Sequence, residues 1–162
     1  MQSLRKWASA LGVTASLVAG TAMYEGKSNK SYLDTLPKVP VVTECYGHTE
    51  GAKLGTYKTD AQCSALLLHD LNTVYAPIVR KYVKVPITQG QFNAMVDFTY
   101  NLGEGNFAAS TLLAKVNSED FTGAALEFQK WYKVGGKDCR IPANRCGGIP
   151  KRRAWERQVF ES

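Results

Sequence analysis

The pattern of apolar and polar positions changes character three times along the chain, and each change predicts an element. Residues 7–24, WASALGVTASLVAGTAMY, carry no charge and follow directly on Arg5 and Lys6. Residues 32–58 are rich in Pro, Gly, Tyr, Val and Thr, with alternation in VVTECYGHT and no helical period. Such a stretch predicts a β-hairpin or a small three-stranded sheet with loops. From Thr59 the period lengthens. TDAQ reads as a capping box, and Cys63, Leu67, Leu71, Val74 and Ile78 follow at helical spacing. Pro77 is placed to kink this helix and Pro86 to end it. TQGQ repeats the box at Thr88 and Gln91, and Phe92, Met95, Val96 and Tyr100 form the next stripe, closed by Leu102 and Gly103. Phe107, Thr111 and Ala114 suggest a third helix, Phe121, Ala125, Phe128 and Trp131 a fourth closed by VGG, and PKRRAWERQVF a last one with Pro150 at its start.

These elements give an α+β chain: a small antiparallel β lobe followed by a larger helical lobe, with a cleft expected between them. The aromatic stripes are core. At 162 residues the chain has the size of one domain, with no internal repeat or linker, and 44% hydrophobic with 21% charged residues excludes disorder.

Charge changes the picture at one end only. The formal net charge is +6. Lys130, Lys133, Lys137, Arg140, Arg145, Lys151, Arg152, Arg153 and Arg157 stand against Asp138, Glu156 and Glu161, so the last thirty-odd residues carry the whole excess. A basic tail either faces an anionic partner or is a solvated face. Nucleic acid is not expected, since no recognition motif accompanies the charge. Cys45, Cys63, Cys139 and Cys146 lack CxxC spacing, and with only His48 and His69 available no metal site is expected. An even count in an exported chain suggests disulfides. Cys139 and Cys146 bracket RIPANR, a short loop that a bridge would close, and Cys45 with Cys63 is the weaker pairing.

The N-terminal run is a membrane segment of a soft kind. As a helix, residues 7–24 would reach about 27 Å, just short of a hydrocarbon core of about 30 Å. Ala, Gly, Ser and Thr supply eleven of its eighteen residues. The positive flank sends residue 25 onward outward. A cleavable signal peptide, a permanent anchor, and a marginal anchor that inserts and later joins the folded domain all compete. The last leaves Glu25 fixed directly behind the segment.

Glu25, Asp34 and Thr43 lie where one wall of the cleft is expected. Glycoside hydrolysis needs a protonated carboxyl for the leaving oxygen and a carboxylate to activate water, and a hydroxyl can orient that water. By spacing alone a solvated pair of surface acids explains them better. The motifs YEG, YLD and TECYGHT, followed in order by GTYKTDAQCSALLLHDL, FNAMVDFTYNLGEGNFAASTLL, WYKVGGKDC and KRRAWERQVF, resemble the T4-type phage lysozyme family, from about residue 22 to 160. The resemblance implies a lysozyme-like fold and a muramidase that cleaves the β-1,4 bond between N-acetylmuramic acid and N-acetylglucosamine in peptidoglycan, without a cofactor. It implies Glu25 as general acid, with Asp34 and Thr43 positioning and activating water for an inverting displacement. The family pattern has the Thr six residues after the Asp. Here they are nine apart, with LPKVP in an enlarged loop and Thr35 as a competing hydroxyl. Glu44 stands where an apolar residue is expected; a third cleft carboxylate is the alternative, and the expectation is that strand alternation turns it outward. His48 is read as holding the hairpin; together with Asn101, Glu104 and Arg153 it is also a candidate for substrate contact.

The soft leader resembles the signal-anchor-release arm of certain phage endolysins. That likeness implies residues 1–24 as the arm and 25–162 as the catalytic domain. It implies a monomer exported by the host Sec machinery and tethered by residues 7–24 in the inner membrane. There it would face the periplasm inactive, and would act there once freed, causing lysis.

Overall fold

A computed structural model describes residues 10–35 and 39–162. The chain divides into two compact units, Val13–Thr73 and residues 10–12 with Val74–Ser162.

In the first unit, α1 (Ala15–Tyr24) begins where Thr14 turns extended and its hydroxyl accepts the Leu17 N–H. Residues 11–14 are not helical. The continuous helix expected over residues 7–24 is therefore absent here: the helix starts at Ala15, and residues 7–9 lie outside the described residues. The break has a local cause, because Thr14 used as a cap stabilises a helix start and residues like it are neutral or unfavourable inside one. No helix among the described residues is long and apolar enough to cross a membrane. Leu17, Gly20 and Thr21 are buried.

Strands β1 (Ser28–Asp34) and β2 (Val41–Cys45) pair antiparallel with an irregularity between Ser28 and Tyr32. A third segment reaches β1 through a bridge from Lys30 to Tyr57 and a backbone bond from Ser31 to Thr56. The expected hairpin or small sheet is thus present, although residues 36–38 of its enlarged loop lie outside the described residues. Helix α2 (Asp60–Asp70) starts on the Thr59 and Gln62 capping box, as its sequence requires. It packs against α1 and β2, and the Cys45–Cys63 disulfide joins β2 to it.

A five-residue π-helical turn, Leu71–Tyr75, follows, and α3 (Ala76–Tyr82) resumes with Pro77 in its first turn. The expected kink thus takes the form of a widened turn just before the proline, whose ring would clash with a carbonyl four residues back in an unbroken α-helix.

The second unit is helical. Helix α4 (Gln89–Leu102) carries the second capping box, Thr88 with Gln91, and ends at Gly103 with φ +84°. The expected third helix is two pieces, α5 (Glu104–Ala108) and α6 (Thr111–Asn117), because Ser110 starts a new cap. Helix α7 (Phe121–Glu127) passes into a 3-10 turn at Phe128–Lys130. The VGG expected to close that helix instead makes a hairpin: β3 (Lys133–Val134) and β4 (Lys137–Asp138) are joined by Gly135 and Gly136, both at positive φ. That two-residue turn needs left-handed backbone at both positions. The Cys139–Cys146 disulfide closes the next loop, and α8 (Gly148–Phe160) packs along α4. Phe92, Met95, Phe98, Phe107, Leu112, Phe128 and Phe160 form the core. The Arg80 guanidinium donates to the Leu11 carbonyl at 2.7 Å and the Gln89 amide to that of Gly12 at 2.9 Å, so this unit holds the chain just ahead of α1.

Within this unit Arg152 and Arg153, read as part of an outward basic tail, are fully buried. Arg152 binds both Asp97 oxygens at 2.8 Å, and Arg153 reaches Glu156 at 2.7 Å. Their positions on α8 face α4, where Asp97 supplies the counter-charge. Burial pushes the Glu156 carboxyl well above its ordinary range, against the pull of Arg153. The basic surface is accordingly two charges smaller than the sequence implies.

Candidate active site

All three candidate catalytic residues belong to the unit Val13–Thr73. Glu25 is the residue that ends α1, already extended at φ −95° and ψ 140°, three positions before β1. Helix and acid are therefore continuous, with no spacer between them.

Asp34 and Thr43 are brought together by strand register. Asp34 stands opposite Val41 and Thr43 opposite Tyr32. Side chains two apart on a strand share a face, so Asp34 and Thr43 are diagonal neighbours on one side of the hairpin, a spacing of roughly 7–8 Å. The nine-residue interval in sequence does not separate them, because the extra residues lie in the connection and not in the ladder. Thr43 is only 5% exposed, with its hydroxyl toward the Val41 carbonyl at 3.4 Å. Asp34 is half-buried. Thr35, the competing hydroxyl, falls just past β1 and is exposed.

The strand carrying Thr43 is fixed by its neighbours. Cys45, two residues on, takes a positive φ of 55° and is tied to Cys63 of α2. Glu44 corrects the expectation of an outward side chain. It is 3% exposed, accepts the Thr56 hydroxyl at 3.1 Å and pairs with Lys58 at 3.1 Å. Alternation does turn it away from Thr43, but that side of the hairpin is covered by the segment holding Thr56 and Lys58. Backbone bonds between Glu44 and His48 close the turn.

His48 uses both ring nitrogens inside this unit. Nδ1 meets the Asp70 carboxylate at 2.8 Å and Nε2 meets the Glu50 carbonyl at 2.8 Å. The ring braces the hairpin against the end of α2, which matches the bracing reading of this residue and leaves neither nitrogen over for a sugar. Asp70, Thr56 and Lys58 lie within GTYKTDAQCSALLLHDL, but nothing in the sequence marks their pairing. Their partners lie 12 to 22 residues away, and no local motif announces such pairs.

The remaining candidates lie in the helical unit. Asn101 accepts from Arg153 at 2.9 Å. Arg153 is 0% exposed, so its guanidinium serves the interior and the expected sugar contact is withdrawn. Glu104 binds Lys81 at 2.8 Å and the Tyr82 hydroxyl at 2.9 Å, which holds its carboxyl below the ordinary value; about two-fifths of its side chain remains exposed. Both disulfides are formed and no cysteine is free. Among the described residues no cluster of His, Cys, Asp or Glu could hold a metal ion.

Comparison with known proteins points the same way as this chemistry. The family model described as phage lysozyme matches residues 22–156. The chain is 37% identical to a SAR-endolysin of Enterobacteria phage PA-2 over 93% of this chain and 87% of that one. It is 36% identical to a SAR-endolysin of Enterobacteria phage P21 with the same coverage. Among solved structures, a P22 lysozyme mutant superposes with a TM-score of 0.78 at 29% identity, covering 94% of this chain and 99% of that one. The muramidase domain of SpmX from Asticaccaulis excentricus gives 0.80 at 28%, with the same shares. The chain belongs to the phage lysozyme family and is a peptidoglycan-hydrolysing lysozyme.

Proposed function

We propose that this lysozyme is a phage endolysin that hydrolyses the β-1,4 bond between N-acetylmuramic acid and N-acetylglucosamine, with its N-terminal segment governing when it does so. The observation that supports the chemistry is the shared hairpin face of Asp34 and Thr43, with Glu25 in the same unit. Glu25 gives its proton to the leaving glycosidic oxygen as the bond to the anomeric carbon breaks. Asp34 takes a proton from the attacking water, Thr43 orients that water, and the new C–O bond forms on the opposite face, inverting the configuration. Proton exchange with solvent then restores both carboxyls.

Glu25→Gln should lower solubilisation of purified peptidoglycan by a factor of about 10²–10⁴, and the parent enzyme should leave reducing ends of inverted anomeric configuration. Full activity in Glu25→Gln would remove the acid assignment, and anhydro-sugar ends would replace hydrolysis by a transglycosylase reaction.

Regulation is supported by the direct continuity of α1 with Glu25. Exported by the Sec machinery as a monomer, the chain is held in the inner membrane by residues 7–24. A Glu25 kept at the headgroup layer cannot also stand beside Asp34 and Thr43. Release lets residues 15–24 form α1 in the folded unit, and the active population follows the position of the leader. Gly12→Leu with Ser16→Leu tests this with little cost to the released fold, because a Cβ at Gly12 meets nothing within 4 Å and Ser16 is exposed. The double variant should stay with the membrane fraction and delay lysis. Normal lysis timing by wholly membrane-bound protein contradicts the proposed regulation while leaving the catalytic assignment in place.

A further inference from the structure

The stretch from Lys133 to Gly148 contributes a single buried side chain, Cys139. A segment that builds so little core usually moves freely. This one is constrained three times over. Gly135 and Gly136 make a two-residue hairpin turn, Cys139 and Cys146 close the loop covalently, and Arg140 stacks on the Tyr132 ring at 3.7 Å while binding the Asp138 carboxylate. Its shape is fixed although the core gains almost nothing from it.

The fixed surface is cationic and apolar at once. Lys137 and Arg145 are exposed and enter no ion pair among the described residues, whereas Lys133, also exposed, stands across the ladder from Asp138 with its ammonium 5.8 Å from the Tyr132 ring centroid. Val134 stands directly across the ladder from Lys137, so an apolar side chain and a cation share one face of the hairpin. Val134 is 50% and Ile141 51% exposed. The one acid of the stretch, Asp138, is taken up by Arg140. Stem-peptide carboxylates of the wall would match the cations but leave the two aliphatic side chains in water. The interface of an anionic bilayer accepts both, with phosphates for the cations and the glycerol-to-acyl boundary for the aliphatic tips.

We propose that the β3–β4 hairpin and the disulfide-closed loop after it form a docking surface for an anionic phospholipid membrane, separate from the N-terminal segment and from the candidate catalytic residues. The enzyme then has a second, reversible hold on the lipid surface that persists after its leader has left the bilayer.

Co-sedimentation of the purified full-length chain with vesicles tests this, comparing pure phosphatidylcholine with phosphatidylcholine containing phosphatidylglycerol. Lys137→Gln with Arg145→Gln should weaken binding to the anionic vesicles roughly twenty-five-fold, at about fivefold per cation. Val134→Ser with Ile141→Ser should weaken it about tenfold. Both variants keep the leader, so any leader-dependent binding is common to them and the parent. Both should digest purified wall at the parent rate, which also shows that they fold. Added salt should reduce the parent's binding more than that of the charge variant. Should a double variant fail to fold, the exposed Lys137→Gln alone should still give about a fivefold loss. Parent-like vesicle binding by the folded variants overturns the proposal. So does a loss of binding to isolated wall sacculi with vesicle binding unchanged, which would make the wall the partner.

Discussion

The two units achieve burial by different means. Among the described residues of Val13–Thr73 the buried apolar side chains are Leu17, Cys45, Cys63, Leu67 and Leu71, and buried polar ones, Thr21, Ser31, Thr43, Glu44 and His48, are equally numerous. In the helical unit the phenylalanines of α4, α5 and α8, with Met95, Val96, Leu112 and Val116, make an apolar interior large enough to enclose the Arg152–Asp97 pair. The unit that holds the candidate catalytic residues thus depends on a crosslink and directional bonds, whereas the other depends on packing around one charged cluster. A thin core costs stability but leaves polar groups where chemistry needs them.

Removing the charge that the helical interior encloses should have the largest effect. Asp97→Ala leaves Arg152 buried without its principal counter-charge and should cost about 3–5 kcal/mol in denaturant unfolding; a loss below about 1 kcal/mol would mean that packing alone carries this unit. Next comes the crosslink. Cys45→Ser with Cys63→Ser should cost about 3 kcal/mol, against about 2 kcal/mol for Cys139→Ser with Cys146→Ser, because the former closes the longer chain segment. Hydrogen exchange should place the first loss in β1 and β2. Equal losses for both pairs would erase the distinction between a crosslink that supports a thin core and one that shapes an exposed loop.

Leu17→Ala should cost about 2–3 kcal/mol if α1 is a true core element of its unit. The same exchange-protected amides in β2 should report it, and an unaffected β2 would make α1 a mere appendage. A titration sharpens the exposed-loop side. The Arg140 side chain and backbone N–H hold the Asp138 carboxyl down to about 2, below an unfolded value of about 3.9. Its contribution is therefore complete above the unfolded value and is lost as pH falls through about 2. NMR titration should return Asp138 toward the ordinary range in Arg140→Gln. Smallest of all, Met23→Ser, at a side chain 80% exposed, should change the stability of the folded enzyme by less than about 0.5 kcal/mol.

Much of this molecule is legible in the order of its residues. Both capping boxes, the aromatic core stripes and the strand region follow from local chemistry, and local chemistry is what a sequence displays. The candidate carboxylates are different: only family resemblance raises Glu25 and Asp34 above chance, since two acids nine apart carry no geometry by themselves. What stays hidden is pairing at a distance. KRRAWE reads as a basic surface because nothing in it reveals that Asp97, more than fifty residues earlier, waits on the facing helix. Glu44 reads as outward because alternation cannot say that Thr56 and Lys58 will cover that side. The β3–β4 hairpin escapes notice because lysines and glycines look equally like a helix end. For four cysteines, spacing favours a short loop and says little about Cys45 and Cys63, which only the fold brings together.

The hydroxyl of Thr14 carries one more consequence. If the leader spans lipid as a single helix, Thr14 sits in its interior, and reaching the water-stable form means unwinding about one turn around it. Local helix–coil exchange of that size takes about a microsecond or less. Under the proposed regulation the wait before lysis would then be set by withdrawal from the bilayer, and the timing of host death would respond to the state of the membrane and not to a folding rate written into the enzyme.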